Sequence, residues 1–234
     1  MEVNKNSFIL ENKRWVISSL LFSILILLPV LILISNFFSG DQSTLKYLFE
    51  TVLLDYSFNT LYLIFLTSFA SLVFGIFPAW IISNYDFFGR KFFDIALYLP
   101  LAIPSYIMAF TYIDILNFTG PFQSFLRSYS FLPSDFFNID YLQIETLGIL
   151  MGMALYPYVY TASRVSFSLI GSNYINVSKN LGLSNFQTFF RVILPLSRPA
   201  IMSGLFLVIM EVLNEYGAVK YFGVNTYTLS LIHI

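Results

Sequence analysis

The chain has 234 residues, of which 57% are hydrophobic and 19% aromatic, and its 12 basic and 13 acidic side chains leave a net charge of −1. Only 11% of the residues are charged, against about 25% in soluble domains, which argues against a water-soluble fold and for a membrane protein. The near-neutral balance gives no basis for nucleic-acid binding, the absence of Cys excludes disulfides and thiolate metal sites, and a single histidine, His233, leaves no imidazole cluster for metal or acid–base chemistry.

Residues 1–14 are expected to be a cytoplasmic N-terminal segment. The run that follows, 15–38, carries no charge over 24 residues. It is longer than a signal-peptide core, and Pro29 and Phe37-Phe38 fit a cleavage site poorly, so it is expected to stay as a helix. About 20 apolar residues cross the hydrocarbon layer, and five runs meet or approach that length: 15–38, 59–83, 93–118, 144–163 and 200–219. In the second, Gly75 and Pro78 are candidate kink positions. The third holds Pro100 and Pro104, four residues apart, and should be bent or locally unwound. Glycines in the fourth permit close helix contact. The fifth places Glu211 and Glu215 one turn apart on one face.

The basic residues orient the spans. With the N-terminus inside, Lys5, Lys13, Arg14, Arg90, Lys91, Arg164, Lys179, Arg191 and Arg198 are cytoplasmic, against Lys46, Arg127 and Lys220 outside, nine to three. The acids Asp41, Glu50, Asp55, Asp135 and Asp140 fall outside. On this reading Arg164 and the Arg90-Lys91 turn are topology anchors, Tyr156, Tyr158 and Tyr160 form an interfacial belt, and Asp114 sits near the outer interface.

Between the fourth and fifth runs, 168–198 forms an inside loop with the pattern helix, glycine turn, helix, proline exit. Gly182 is placed to end the first helix in a left-handed conformation. Ser184 followed by Gln187 has capping-box spacing, and Pro195 and Pro199 stop the second helix and aim the chain back toward the membrane. From the residues alone this segment is either a protein-docking element or a simple connector. Two readings also stand for the carboxylates. Glu211 and Glu215 line a translocation path for a cation, or Glu215 lies at the outer headgroup level while Glu211 pairs with a neighbouring helix.

The loop resembles the cytoplasmic "EAA" loop of ATP-binding cassette importer permeases, the binding-protein-dependent transport inner-membrane components. Gly182 matches the family glycine, and Val192, Leu194 and Pro195 match its hydrophobic–x–Leu–Pro ending at the same spacing. The Glu-Ala-Ala opening falls on Asn176, Val177 and Ser178, where the acidic residue and the small pair are largely lost; local packing or strength of coupling is what that departure touches. "LPLAIPSYIMAF" (99–110), "YPYVYTASRVSF" (156–167) and "NEYGAVKYFGVNTYT" (214–228) are similar to the N-terminal half of ferric iron permeases.

The resemblance implies an all-α, polytopic, type I importer-like helical bundle in a bacterial cell inner membrane, occupying 15–234, with five spans of an expected six in this half. The chain is accordingly expected to be a fragment of a longer protein, and its last hydrophobic residues are too few to span. The implied function is a permease subunit moving iron(III) delivered by a periplasmic iron(III)-binding protein, beside a second permease half or subunit. The alternatives are another solute of the broad family (thiamine, polyamine, sulfate or phosphonate), or an ion-coupled secondary transporter. The chain itself is expected to be no enzyme and to hold no cofactor or metal, ATP being bound by a partner ATPase dimer. Asn176, Ser178, Gly182, Phe186, Phe189, Arg191, Leu194 and Pro195 are the implied coupling residues, with the phenylalanines giving apolar contact or intraloop packing and Arg191 at the edge.

Overall fold

A computed structural model of the chain describes residues 13–39, 53–129 and 141–229. Lys5, Asp41, Lys46, Glu50, Asp135, Asp140 and His233, and the C-terminal residues expected to fall short of a span, lie outside the described residues. The chain divides into two compact units, residues 1–54 and 55–234. In the first, α1 (Lys13–Ser39) is one continuous helix containing Pro29.

The second unit is all-helical among the described residues. Its first long helix, α2 (Leu53–Asn84), runs unbroken past Gly75 and Pro78. The buried stripe of α2 is Thr60, Leu63, Thr67, Ala70, Ser71, Gly75, Ala79 and Ile82, while Phe58, Leu61, Phe65 and Phe69 are exposed on the other side. Both sets recur at helical spacing. The inward face is smaller and more polar than the outward one, which is the arrangement of a helix surrounded by lipid, where close backbone approach drives helix association.

Two short elements follow: α3 (Arg90–Ala96) and a 3₁₀ turn at Leu99–Ala102. Then come α4 (Ser105–Leu116) and α5 (Pro121–Tyr129). Pro100 occupies the first turn of the 3₁₀ segment, and Pro104 precedes α4 in an extended conformation that a helix interior cannot accommodate. The axis accordingly bends by 97° between Arg90–Ala102 and Ser105–Ser128, which meets the expectation of a broken third run.

The centre of the unit is α6 (Ile144–Asn180). Leu147, Met151, Val159 and Tyr160 on it are essentially inaccessible to solvent. Small residues set its distance from its neighbours: a Cβ on Gly152 would come within 2.4 Å of Ala70 on α2, and one on Gly204 within 2.8 Å of the Tyr158 carbonyl. Ser71 Oγ also donates to the Gly152 carbonyl at 3.3 Å. The Gly152 contacts match the close packing expected from the glycines of 144–163. The helix, however, does not stop at Ser163, the expected end of the span, and continues through Asn180. The first arm of the loop is therefore the end of a long helix and not a separate short one.

After the loop, α7 (Asn185–Thr188), a π-helical turn (Phe189–Ile193) and α8 (Leu194–Leu196) lead into α9 (Arg198–Asn214) and α10 (Gly217–Phe222). Pro195 and Pro199 each occupy the opening turn of a helix, where a missing N–H costs nothing. The contiguous helical segment Asn185–Leu196 ends one residue after Pro195 and bends by 70° into Arg198–Asn214, in line with the expected proline exit. The fifth run is also shorter than 200–219, because α9 ends at Asn214 and Glu215 is extended.

Among the described residues, two helices are long and apolar enough to cross a membrane, Trp15–Ser35 and Leu53–Asn84. The number reaches four if each bent pair, Arg90–Ala102 with Ser105–Ser128 and Asn185–Leu196 with Arg198–Asn214, is one span. Two to four candidate spans are thus supported among the described residues, and the expected count of five is not confirmed. The expected fourth, within α6, is not among them, its Tyr, Ser, Thr and Gly content lowering its apolarity.

Candidate functional site

Three places carry the residues singled out from the sequence, and the loop between α6 and α9 is the most elaborate. α6 ends in a Schellman arrangement. Gly182, at φ 81°, donates its N–H to the Lys179 carbonyl at 2.9 Å, and Leu183 N–H reaches Ser178 O at 3.1 Å. Only glycine takes that backbone angle at no steric cost. Ser184 then caps α7: its Oγ accepts from Gln187 N–H at 3.3 Å, and its own N–H donates to Gln187 Oε1 at 3.0 Å. Both features follow the sequence expectation.

The loop's phenylalanines divide by face. Phe189 is 4% exposed and packs on Trp80 of α2 with ring centres 4.8 Å apart, and edge-on against Phe167 of α6 at 6.2 Å. Ile193, one turn on, is buried as well. Phe186 is 71% exposed and meets the also exposed Phe190 in a tilted ring pair with centres 4.6 Å apart. Thus Phe189 and Ile193 fasten the loop to α2 and α6, while Phe186 and Phe190 present an aromatic surface beside a cleft of about 260 Å³ walled by Phe77, Trp80 and Tyr85. Arg191 is exposed, and Leu194 and Pro195 are half-buried. Of the residues that stand where the family has Glu-Ala-Ala, Asn176 is exposed, whereas Ser178 is buried and donates Oγ–H to Tyr174 O at 2.7 Å.

The second place is the break between α9 and α10. Glu215 Oε1 accepts from Ala218 N–H at 2.9 Å, capping α10, and Oε2 accepts from Ser105 Oγ at the start of α4. Glu211 Oε1 accepts from Tyr158 O–H at 3.2 Å. Both carboxylates line one cleft of about 270 Å³ with Pro104, Tyr106 and Tyr158. Neither has an ion-pair partner among the described residues. Glu215 lies past the end of α9, so the two do not share a helix face, but both open on the same cleft, and Glu211 contacts a neighbouring helix.

Sequence reasoning passed over the third place. Asp94 on α3 accepts from Tyr160 O–H at 2.9 Å and from Arg164 Nη2, joining α3 to α6 in a part-buried ion pair. Tyr160 is wholly buried and donates to Asp94, which takes it out of an interfacial belt, and Tyr158 bonds Glu211. The belt reading treated alternate tyrosines as one group, yet residues two apart on a helix point in different directions. A carboxylate at the head of an apolar run, with an arginine elsewhere to neutralise it, was the available signal for Asp94. Asp114 is exposed near the end of α4. Among the described residues no group of three or more His, Cys, Asp or Glu side chains converges on a metal-sized site.

Comparison with known proteins adds an independent line. Residues 71–233 match the family described as "Binding-protein-dependent transport system inner membrane component". The chain is 28% identical over 192 residues to the Fe(3+)-transport system permease protein FbpB 2 of Haemophilus influenzae, covering 82% of this chain and 34% of that protein. It is 30% identical over 168 residues to the sulfate transport system permease protein CysT of Salmonella typhimurium, and equally to that of Escherichia coli, covering 71% of this chain and 57% of each. The chain thus spans from about a third to somewhat over half of the length of these relatives.

Proposed function

The chain belongs to the binding-protein-dependent transport system inner membrane component family, and from that premise we propose that it is a membrane-spanning permease subunit of an ATP-driven importer. A binding protein outside the membrane delivers the solute, a second permease half or subunit completes the pathway, and a cytoplasmic ATPase dimer binds and hydrolyses ATP. No covalent step is assigned to this chain. The solute belongs to the range handled by the wider family. Relatives named for iron(III) and for sulfate are matched at similar identity, and this favours the broad class over iron alone.

The observation that carries the reading is the two-faced loop within the family-matched region. Gly182 and Ser184 shape it, Phe189 holds it to the helices, and Phe186 and Phe190 face outward. In this role Phe186 and Phe190 enter a groove on the ATPase, with Arg191 beside them, and exposed aromatic and arginine side chains are the kind that dominate interface energies. Closure of the ATPase dimer on ATP then pulls on α6 and α9 through Phe189, Leu194 and Pro195. Ser178, buried near the end of α6, and Asn176, exposed two residues earlier, carry the positions where the family acid and small pair are missing.

Glu211 and Glu215 are proposed to line the translocation path. Their cleft opens between the two helix breaks, and no basic side chain among the described residues neutralises it. Intramembrane carboxylates are costly and mark pathways by default. The test is association of the chain with its candidate ATPase, measured with and without Phe186→Asp. Weakened association with intact helical structure supports the reading, and unchanged association together with unchanged ATP-driven transport returns the loop to a connector.

A further inference from the structure

The turn between α2 and α3 is not used by the importer mechanism, yet it is chemically distinctive. Gly89, at φ 86°, reverses the chain so that Arg90 pairs with Asp86. Beside it a cavity of about 510 Å³ is lined by Arg90, Lys91 and Arg164 together with Asp86 and Asp94. Three cations meet two carboxylates there. Asp86 is taken up by Arg90, and Asp94 by Arg164 and Tyr160. Lys91, exposed, has no ion pair among the described residues, and Arg164 Nε is buried with no acceptor. The cavity therefore keeps one excess positive charge.

Its surroundings are apolar and open. Phe88, Phe92 and Ile95 are 103%, 69% and 71% exposed. The segment Arg90–Ala102 is turned by 97° from Ser105–Ser128, so α3 lies across the direction of the bent span that follows and not along it. A short element with cations on a cavity and phenylalanines flanking it suits the headgroup–acyl boundary, where basic pockets take lipid phosphates and aromatic side chains enter the apolar layer.

We propose that this cavity holds the phosphate of an anionic phospholipid, with Lys91 and Arg164 contacting the headgroup and Phe88 and Phe92 against its acyl chains. A free inorganic anion would share the cationic contacts but would gain nothing from the exposed phenylalanines. The site is independent of which solute is carried.

The test uses the full chain in phosphatidylcholine nanodiscs doped with phosphatidylglycerol, with retained lipids counted by native mass spectrometry. The expected result is selective retention of phosphatidylglycerol, reduced about fivefold by Lys91→Gln, the share of one cation at a membrane surface. Lys91→Arg keeps the retention, which separates charge from folding. Equal retention of the two lipids by the unaltered chain, or undiminished selectivity in Lys91→Gln, overturns the proposal. Displacement of the lipid by inorganic phosphate at matched concentration overturns it in favour of a small-anion site. Loss of ATPase association in Lys91→Gln with lipid selectivity intact overturns it in favour of a protein contact.

Discussion

Phe186 and Phe189 are three residues apart in the same short loop, and burial gives them opposite tasks. Phe189→Ala empties a pocket formed by Trp80 and Phe167 and is expected to cost about 3–5 kcal/mol, read as a lower unfolding midpoint. Phe186→Ala removes an exposed ring, leaves that midpoint nearly unchanged, and weakens ATPase association. Gly182→Val forces a β-branched residue to φ 81° and is expected to cost about 1–2 kcal/mol, seen as faster amide exchange around Leu183. Gly182 and the Ser184–Gln187 cap were legible in the sequence because each is a local rule written within a few residues. The division of the phenylalanines was not, since it depends on where Trp80, far earlier in the chain, comes to rest. Asp94 was missed for the same reason: Tyr160 and Arg164 are its neighbours only after α3 folds against α6.

At the scale of elements, the bent segment from α3 to α4 is held at both ends by a carboxylate. Asp94 ties α3 to α6, and Glu215 ties the start of α4 to the break between α9 and α10. Asp94→Asn leaves Arg164 without its counter-charge. Because both side chains are about a quarter exposed, the expected cost is about 1–3 kcal/mol, with increased amide exchange confined to α3. Glu215→Ala removes the cap of α10 and is expected to cost about 1 kcal/mol, with faster exchange at Ala218 and neighbouring amides while α3 is unaffected. If either substitution loosened both regions equally, the two ties would be one cooperative unit. Helix existence was readable here from apolar run length, and the third-run break from Pro100 and Pro104. The continuity of α6 from the fourth run through to its glycine stop was not, because the residues after Ser163 are polar enough to read as loop.

For the whole molecule, the apolar content identified a membrane protein, and the inverted pattern of α2, with large residues outward and small polar ones inward, is the structural counterpart of that composition. Span counting from apolar runs is supported in part, with two to four candidates among the described residues. α6 is covered by α2 and α9, so it tolerates tyrosines, serines and glycines that a lipid-facing helix would not carry. The family match, the two-faced loop and the unneutralised cleft are the features on which the proposed importer role rests. The direct measurement is uptake into proteoliposomes containing the chain with its candidate ATPase, permease partner and binding protein, with iron(III) and sulfate supplied in parallel. The account predicts accumulation of a solute that requires both ATP and the ATPase and falls with Phe186→Asp. Uptake that proceeds without the ATPase, driven by an ion gradient, would contradict it.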